Sequence, residues 1–341
     1  MTDVEPEPVL TVRGLSTEYA TDRGQVRAVR DVSFELRRGE RLGIVGESGS
    51  GKSALALSIL GLIEPPGRTV AGEVWLNGRD LRTLSEARLN RIRGKEISVV
   101  FQDPLTALNP VRRIGPQLAE AITMHQDVGR AAAKQAAIEL LDDVELPRPA
   151  DCYRRYPHEL SGGMRQRVMI AVALANAPDV LIADEPTTAL DVTTQAQIMR
   201  LIDKVVDERG TAVVLITHNM DLVADFCDTV QVMYAGQVVE RGRREQLLSG
   251  SAHPYTAALM VSVPSLDTDR AAPLRSLEGL PPDLAVEHTG CALAPRCVLG
   301  RERERCRSES PAMTAVVGDA AWVSRCHFAG EQHRLTMETT P

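Results

Sequence analysis

The sequence predicts an α/β fold: a large domain of short apolar strands joined by helices, then a small cysteine-rich extension. Three observations carry the prediction. Apolar runs at residues 180–183 and 212–217 are joined by a helical stretch at 194–208, a βαβ unit with parallel strands. A third apolar run, 41–45, passes through glycines into helical periodicity at 54–62. Between about 263 and 282 the texture changes to Pro, Ser, Asp and Leu, which places a boundary after residue 262. The division is therefore 1–262 and 263–341, in keeping with a length that suits about two domains.

Taken in order, residues 9–12 and 27–36 alternate as strands, with Asp22-Arg23-Gly24 as the turn between them. Residues 72–76 read as a strand closed by the tight turn Asn77-Gly78, and 97–101 as another β-rich run. From 114 to about 146 the pattern is helical, rich in Ala, Leu, Glu and Gln. Ser161 is a natural N-cap for a helix reaching about 177. Residues 230–234 and 237–240 bracket Ala235-Gly236 as a hairpin.

Composition narrows the function. Hydrophobic residues make up 43%, enough for a sizeable core, and aromatics only 3%, so that core is aliphatic. The net charge of -7 argues against general nucleic-acid binding, which needs a basic surface. No run reaches the roughly 18 to 20 apolar residues that span a bilayer. Residues 1–8 are acidic and lack the basic start and apolar core of a secretory signal. A cytoplasmic chain is expected, with any membrane spans supplied by another subunit.

Gly46-Glu47-Ser48-Gly49-Ser50-Gly51-Lys52-Ser53 fits G-x-x-x-x-G-K-[ST] between a strand and a helix, the context this pattern requires. Glycines let the backbone wrap a phosphate so that successive N–H groups face the anion, and the following helix offers its positive end. Lys52 then places a charge on the β- and γ-phosphates of ATP, and Ser53 a hydroxyl on Mg2+. The run 180–183 ends in Asp184 and Glu185. Asp184 is placed for the Mg2+ sphere and Glu185 for polarising the attacking water.

Leu160-Ser161-Gly162-Gly163-Met164-Arg165-Gln166 resembles the signature sequence of ABC ATPases, LSGGxxQ. Independently of the family, a serine and glycines opening a helix again favour a phosphate. The resemblance spans about residues 9–263 and implies a P-loop NTPase core with a mixed β-sheet, a helical subdomain at about 103–165 and an antiparallel β subdomain. It further implies that Ser161, Gly162, Gly163 and Gln166 serve the ATP held by a second ATPase subunit, with Asp191 in the loop at the dimer interface. Tyr19 would stack on adenine, Gln102 would sense Mg2+ and the water, and His218 would bond the γ-phosphate.

Three further stretches resemble the oligopeptide/dipeptide (and nickel) importer branch: Gln102 to Pro110, Tyr156 to Leu160, and His253-Pro254-Tyr255-Thr256. That branch implies a peripheral ATPase on the cytoplasmic face of the inner membrane. Its partners are a like or unlike second ATPase, two permease subunits and an external solute-binding protein. Peptide is the expected solute; nickel, glutathione or another small solute stays open. A soluble ABC ATPase acting on DNA or ribosomes would carry a long coiled-coil insertion or two fused cassettes, and the sequence has neither.

Four of the six cysteines, Cys291, Cys297, Cys306 and Cys326, fall in the extension with spacing C-x5-C-x8-C-x19-C. No CxxC pair is present, so the common zinc-ribbon spacing is not met. Four thiolates could hold one tetrahedral ion or one [4Fe–4S] cluster, or stay reduced. A small segment with few apolar positions gains most from such a staple. The stretch Gly290 to Cys297 resembles the extension of the peptide-importer ATPases, some of which carry an iron–sulfur cluster there, and this favours [4Fe–4S]. Cys152 and Cys227 read as plain core or surface residues.

Overall fold

The computed structural model describes residues 7–188, 190–261, 277–286, 289–316 and 318–331, without the side chains of residues 105 and 106. The expected boundary after 262, and Ala189 of the Asp191 loop, lie outside the described residues. Along the chain come β1 (Leu10–Thr21), β2 (Gly24–Leu36), β3 (Arg41–Val45), α1 (Lys52–Leu60), β4 (Gly67–Leu76), β5 (Arg79–Asp80), α2 (Glu86–Ile92) and β6 (Ile97–Val100). Next are α3 (Pro104–Ala107), α4 (Ile114–Thr123), α5 (Arg130–Asp143), α6 (Pro149–Cys152), α7 (Gly162–Leu174), β7 (Val180–Asp184), α8 (Val192–Arg209) and β8 (Ala212–Thr217). The chain continues through α9 (Met220–Phe226), β9 (Thr229–Tyr234), β10 (Gln237–Arg243), α10 (Arg244–Gly250) and α11 (Pro254–Val261). It ends in α12 (Glu304–Ser308), β11 (Thr314–Val316) and β12 (Asp319–Ser324). Among the described residues no helix is long and apolar enough to cross a membrane.

These elements belong to two compact units. One comprises the chain up to Thr11, Glu35–Arg41 and Val74–Ile216. Here β6, β7 and β8 run parallel, with Ile97 opposite Val180 and Ile182 opposite Val214. Every residue of β7 and β8 is buried. Strands covered on both faces explain why these runs read as continuously apolar rather than alternating.

Helices α4 and α5 pack on each other and on α7. The helical pattern from 114 to about 146 resolves into these two helices. Ile114, Leu118 and Ile122 on α4, and Ala133, Ala137 and Leu141 on α5, can be buried together only if the chain turns between them. It does so between Thr123 and the cap residue Gly129. Ser161 caps α7 as expected, but the helix ends at Leu174, because Ala177 takes a left-handed φ of 48°.

The other unit comprises Val12–Phe34, Leu42–Glu73 and Thr217 onward. β2, β1 and β4 lie side by side in that order. β1 is longer than residues 9–12, since Leu15 and Thr17 keep its inner face buried. β3 pairs in parallel with β9, β9 antiparallel with β10, and β10 antiparallel with β12 of the extension, Glu240 opposite Ser324. The extension is thus sewn to this sheet by a strand.

At that seam Glu240 is fully buried and its carboxylate accepts from the Ala252 and His253 amides (2.6 and 3.0 Å) and from Trp322 Nε1 (2.8 Å). Burial still pushes its pKa up. Cys152 and Cys227 are buried, and Cys227 Sγ lies where Gly43 has no side chain, 2.9 Å from the position of a Cβ.

Candidate functional site

The phosphate loop leaves β3 at Gly46 and enters α1 at Lys52. Its glycines are required by space as well as by dihedral. A Cβ on Gly46 would lie 2.3 Å from Met233 O, and one on Gly51 would lie 2.1 Å from Ala28 O at a φ of +102°. Gly236 donates its N–H to Ser50 O at 3.0 Å, which ties the β9–β10 turn to the loop. Lys52 is buried, and its Nζ donates to Gly46 O (2.8 Å) and Glu47 O (3.0 Å), so the ammonium is held over the loop it serves. Ser50 Oγ is buried without a hydrogen-bond partner. Ser48 and Gly49 are exposed, as is Ser53 in the first turn of α1.

Glu47 is held twice. Its amide donates to the Tyr255 hydroxyl at 2.7 Å, and its carboxylate accepts from Arg296 Nη1 and Nη2 at 2.8 and 3.1 Å. In the same unit Tyr19 is half-buried on β1, with its ring filling the space beside Gly67, where a Cβ would lie 2.5 Å from Cε1. Burial raises its phenol pKa. His218 follows β8 and is exposed.

In the first unit the acidic strand β7 ends in buried Asp184. Glu185 follows with a left-handed φ of 47°, its N–H donating to Ile216 O at 2.8 Å. A non-glycine residue in that region stores strain of about 1 kcal/mol or more, and such residues cluster at functional sites. Glu185 Oε2 accepts from Gln102 Nε2 at 2.9 Å and from Thr188 Oγ1 at 2.7 Å. Two donors on one oxygen fix the direction of the carboxylate. The sequence points to Glu185 from its acidic strand end and to Gln102 by resemblance, without pairing them, and does not single out Thr188; a hydroxyl three residues after an acid in a turn is the signal for it.

Ser161 accepts from the Met164 amide at 3.3 Å. Gly163 lies against α8, where a Cβ would be 2.8 Å from Thr194 Cγ2. Asp191 caps that helix, accepting from Thr194 N (3.0 Å) and Thr194 Oγ1 (2.7 Å). The amide of Thr194 holds the Asp191 pKa down. Thr194 therefore joins the signature glycines to the Asp191 turn. Gln166 is buried, and its amide nitrogen has no hydrogen-bond partner.

The cysteines of the extension converge. Cys291, Cys297, Cys306 and Cys326 line one cavity together with His253 and Phe328. Cys291 donates its amide to Cys306 O at 2.8 Å, and Phe328 N donates to Cys326 Sγ at 3.4 Å. Gly300 fits between sulfurs, its Cβ position 3.1 Å from Cys306 Sγ and 3.4 Å from Cys297 Sγ. Burial pushes all four thiols up, Cys291 to about 11 and Cys326 to about 12. All six cysteines are free thiols. Among the described residues, no three His, Cys, Asp or Glu side chains are arranged to hold a metal ion.

A strand–loop–helix that cradles phosphate, a buried lysine and an acidic strand with an oriented glutamate define an ATP-hydrolysing P-loop protein. Residues 29–188 match the family described as ABC transporter, and residues 239–306 match the oligopeptide/dipeptide transporter C-terminal region. The chain is 47% identical over 295 residues to the oligopeptide transport ATP-binding protein OppD of Salmonella typhimurium, covering 86% of this chain and 88% of that one. It is 45% identical over 320 residues to the dipeptide transport ATP-binding protein DppD of Escherichia coli, covering 94% and 96%. The dimeric ATP-binding cassette MJ0796, bound to ADP and Pi, superposes with a TM-score of 0.63 at 29% identity, over 69% of this chain and 98% of that one. The chain belongs to the ABC transporter ATP-binding proteins, in the branch with the oligopeptide/dipeptide transporter C-terminal region.

Proposed function

We propose that this chain energises uptake of di- or oligopeptides, as the ATP-hydrolysing subunit of an importer at the cytoplasmic face of the inner membrane. The observation that carries this is an ABC cassette joined to the oligopeptide/dipeptide C-terminal region in one chain. Its partners are a second ATPase, two permease subunits and an external solute-binding protein, and its division is 1–262 and 263–341.

The phosphate loop, Gly46 to Ser53, binds the triphosphate, and Tyr19 stacks on the adenine. Ser53, Asp184 and Gln102 are the residues that would hold Mg2+, which when bound neutralises charge on the β- and γ-phosphates. Glu185, oriented by Gln102 and Thr188, takes the proton from the attacking water, and His218 bonds the γ-phosphate. Ser161, Gly162, Gly163, Gln166 and Asp191 face the nucleotide of the partner ATPase.

The test is uptake of a labelled tripeptide, nickel and glutathione by cells carrying wild-type chain or Glu185→Gln. Peptide uptake alone should fail with the variant, and the purified variant should keep ATP while turnover falls at least about a hundredfold. Loss of nickel or glutathione uptake with normal peptide uptake would overturn the peptide reading. Hydrolysis at the wild-type rate would overturn the role of Glu185.

Cys291, Cys297, Cys306 and Cys326 are assigned to one [4Fe–4S] cluster. The support is the resemblance of Gly290 to Cys297 to the peptide-importer extension, together with four thiols that line one cavity although they are not gathered as metal ligands in this structure. When bound, a cluster supplies a covalent staple to a segment with little core of its own. Protein purified without oxygen should show a broad band near about 400 nm and about four irons per chain, both lost in Cys297→Ser. Zinc in place of iron, or neither metal, would refute the cluster.

A further inference from the structure

We propose that Arg296, carried by the cysteine loop of the extension, neutralises Glu47 of the phosphate loop and thereby sets the affinity of that loop for Mg-ATP. The proposal rests on the phosphate-loop reading. Glu47 puts a carboxylate in a loop whose task is to attract a polyanion. Left bare, it would repel the triphosphate that the loop is built to hold.

Arg296 answers that charge as a built contact rather than a surface pair. Its side chain is 7% exposed and meets both carboxylate oxygens, at 2.8 and 3.1 Å. Its remaining donors are also placed: Nε on Glu278 O at 3.0 Å, Nη2 on Leu277 O at 3.2 Å, and Nη1 on the Tyr234 hydroxyl at 3.4 Å. The guanidinium carbon lies 5.9 Å from the Tyr234 ring centroid. A fork used at every nitrogen has one orientation, and that orientation faces Glu47.

The backbone of Glu47 is held from the same C-terminal part of the chain. Fully buried Tyr255, from the His253-Pro254-Tyr255-Thr256 stretch, accepts the Glu47 amide at 2.7 Å and packs its ring 4.6 Å from that of Tyr234. Arg296 is the residue before Cys297, inside the loop that Cys291 and Cys306 close. Order in the cysteine loop is therefore order in Arg296. Loosening that loop would release Glu47 as an uncompensated charge beside the nucleotide. Arg296 is a positioning residue, and the extension a positive regulator of nucleotide binding.

The experiment is titration of the full chain with Mg-ATP by calorimetry, using wild type, Arg296→Ala, Arg296→Lys, Glu47→Gln and the Arg296→Ala/Glu47→Gln double variant. Arg296→Ala should raise Kd about tenfold, the size expected for one unscreened charge near the phosphates. It should raise KM for ATP with kcat little changed. Arg296→Lys should recover part of the loss. The double variant should return to within about twofold of wild type although it has no bridge at all. Unchanged Kd in Arg296→Ala, or failure of Glu47→Gln to rescue it, would overturn the proposal. If Arg296→Ala does not fold, Glu47→Gln alone decides: equal or tighter binding supports the proposal, and weaker binding overturns it. A wild-type chain that does not bind Mg-ATP would bring down the phosphate-loop reading itself, and this proposal with it.

Discussion

Replacing Gly51 by alanine isolates what the phosphate loop demands of its backbone. At a φ of +102° any L-residue is strained, by about 1 to 2 kcal/mol. The new Cβ would also stand 2.1 Å from Ala28 O and 3.4 Å from Gly236 Cα. Neither neighbour is a side chain that can swing away. Ala28 is in β2, and Gly236 is fixed by its own hydrogen bonds, its N–H to Ser50 O and its O from Arg30 N. Relief requires a backbone shift of about 1 Å, with a further cost of about 1 to 3 kcal/mol.

The total, about 3 kcal/mol, should appear as a lower urea midpoint at unchanged slope. Mg-ATP affinity should fall at least about tenfold, because the shifted atoms include amides of the loop proposed to bind the triphosphate. Gly49→Ala is the internal comparison. Its φ of +79° carries the strain, but nothing lies within 4 Å of its Cβ position, so it should lose only about 1 to 2 kcal/mol. Equal urea midpoints for the two variants would refute the reasoning, since the clash would then carry no cost.

Two other outcomes follow from the packing. His253 is completely buried; burial pushes its imidazole down to about 3, and its Nδ1 already accepts the Tyr255 amide at 3.2 Å. The folded state therefore prefers neutral His253, and its contribution, complete above the unfolded value of about 6.5, should fade by about 1.4 kcal/mol per pH unit between there and about 3. Urea midpoints recorded from pH 7 to 4.5 should decline less steeply in His253→Asn, and an unchanged decline would refute this. Arg167 is buried, with Nη1 on Val144 O and Nη2 on Gln197, both at 2.8 Å. Arg167→Ala should lower the unfolding free energy by about 2 to 4 kcal/mol in the same assay; a loss under about 0.5 kcal/mol would mean the bonds are replaced by water.

The parts of this fold that were legible in sequence are those whose cause is local. The pattern from Gly46 to Ser53 was readable because loop geometry dictates glycines at fixed places. β7 and β8 were readable because burial on both faces leaves unbroken apolar runs, and α8 because its buried residues recur at helical spacing. Ser161 was readable because a cap needs a short oxygen-bearing side chain. What stayed hidden is set by partners distant in the chain. The break between α4 and α5 serves packing of one helix on the other, which no single window reveals. β12 has exposed residues at Ala320 and Ala321 and becomes a strand through its pairing with β10 and β11. Arg296 reads as one arginine in a charged stretch until Glu47, 249 residues earlier, is found against it. The four cysteines were visible as a set, but not their common cavity.

The pairing of β10 with β12 also bears on how the molecule is made. Glu240 meets Ser324 across the sheet, so about 80 residues must be polymerised after β10 before its partner strand exists. At about 5 to 20 residues per second the growing chain carries that edge uncovered for several seconds, with the Glu240 side chain still lacking the indole of Trp322. An uncovered edge is where strands of neighbouring chains add on. β12 closes that edge, so a premature stop ahead of it leaves β10 with an edge open to aggregation.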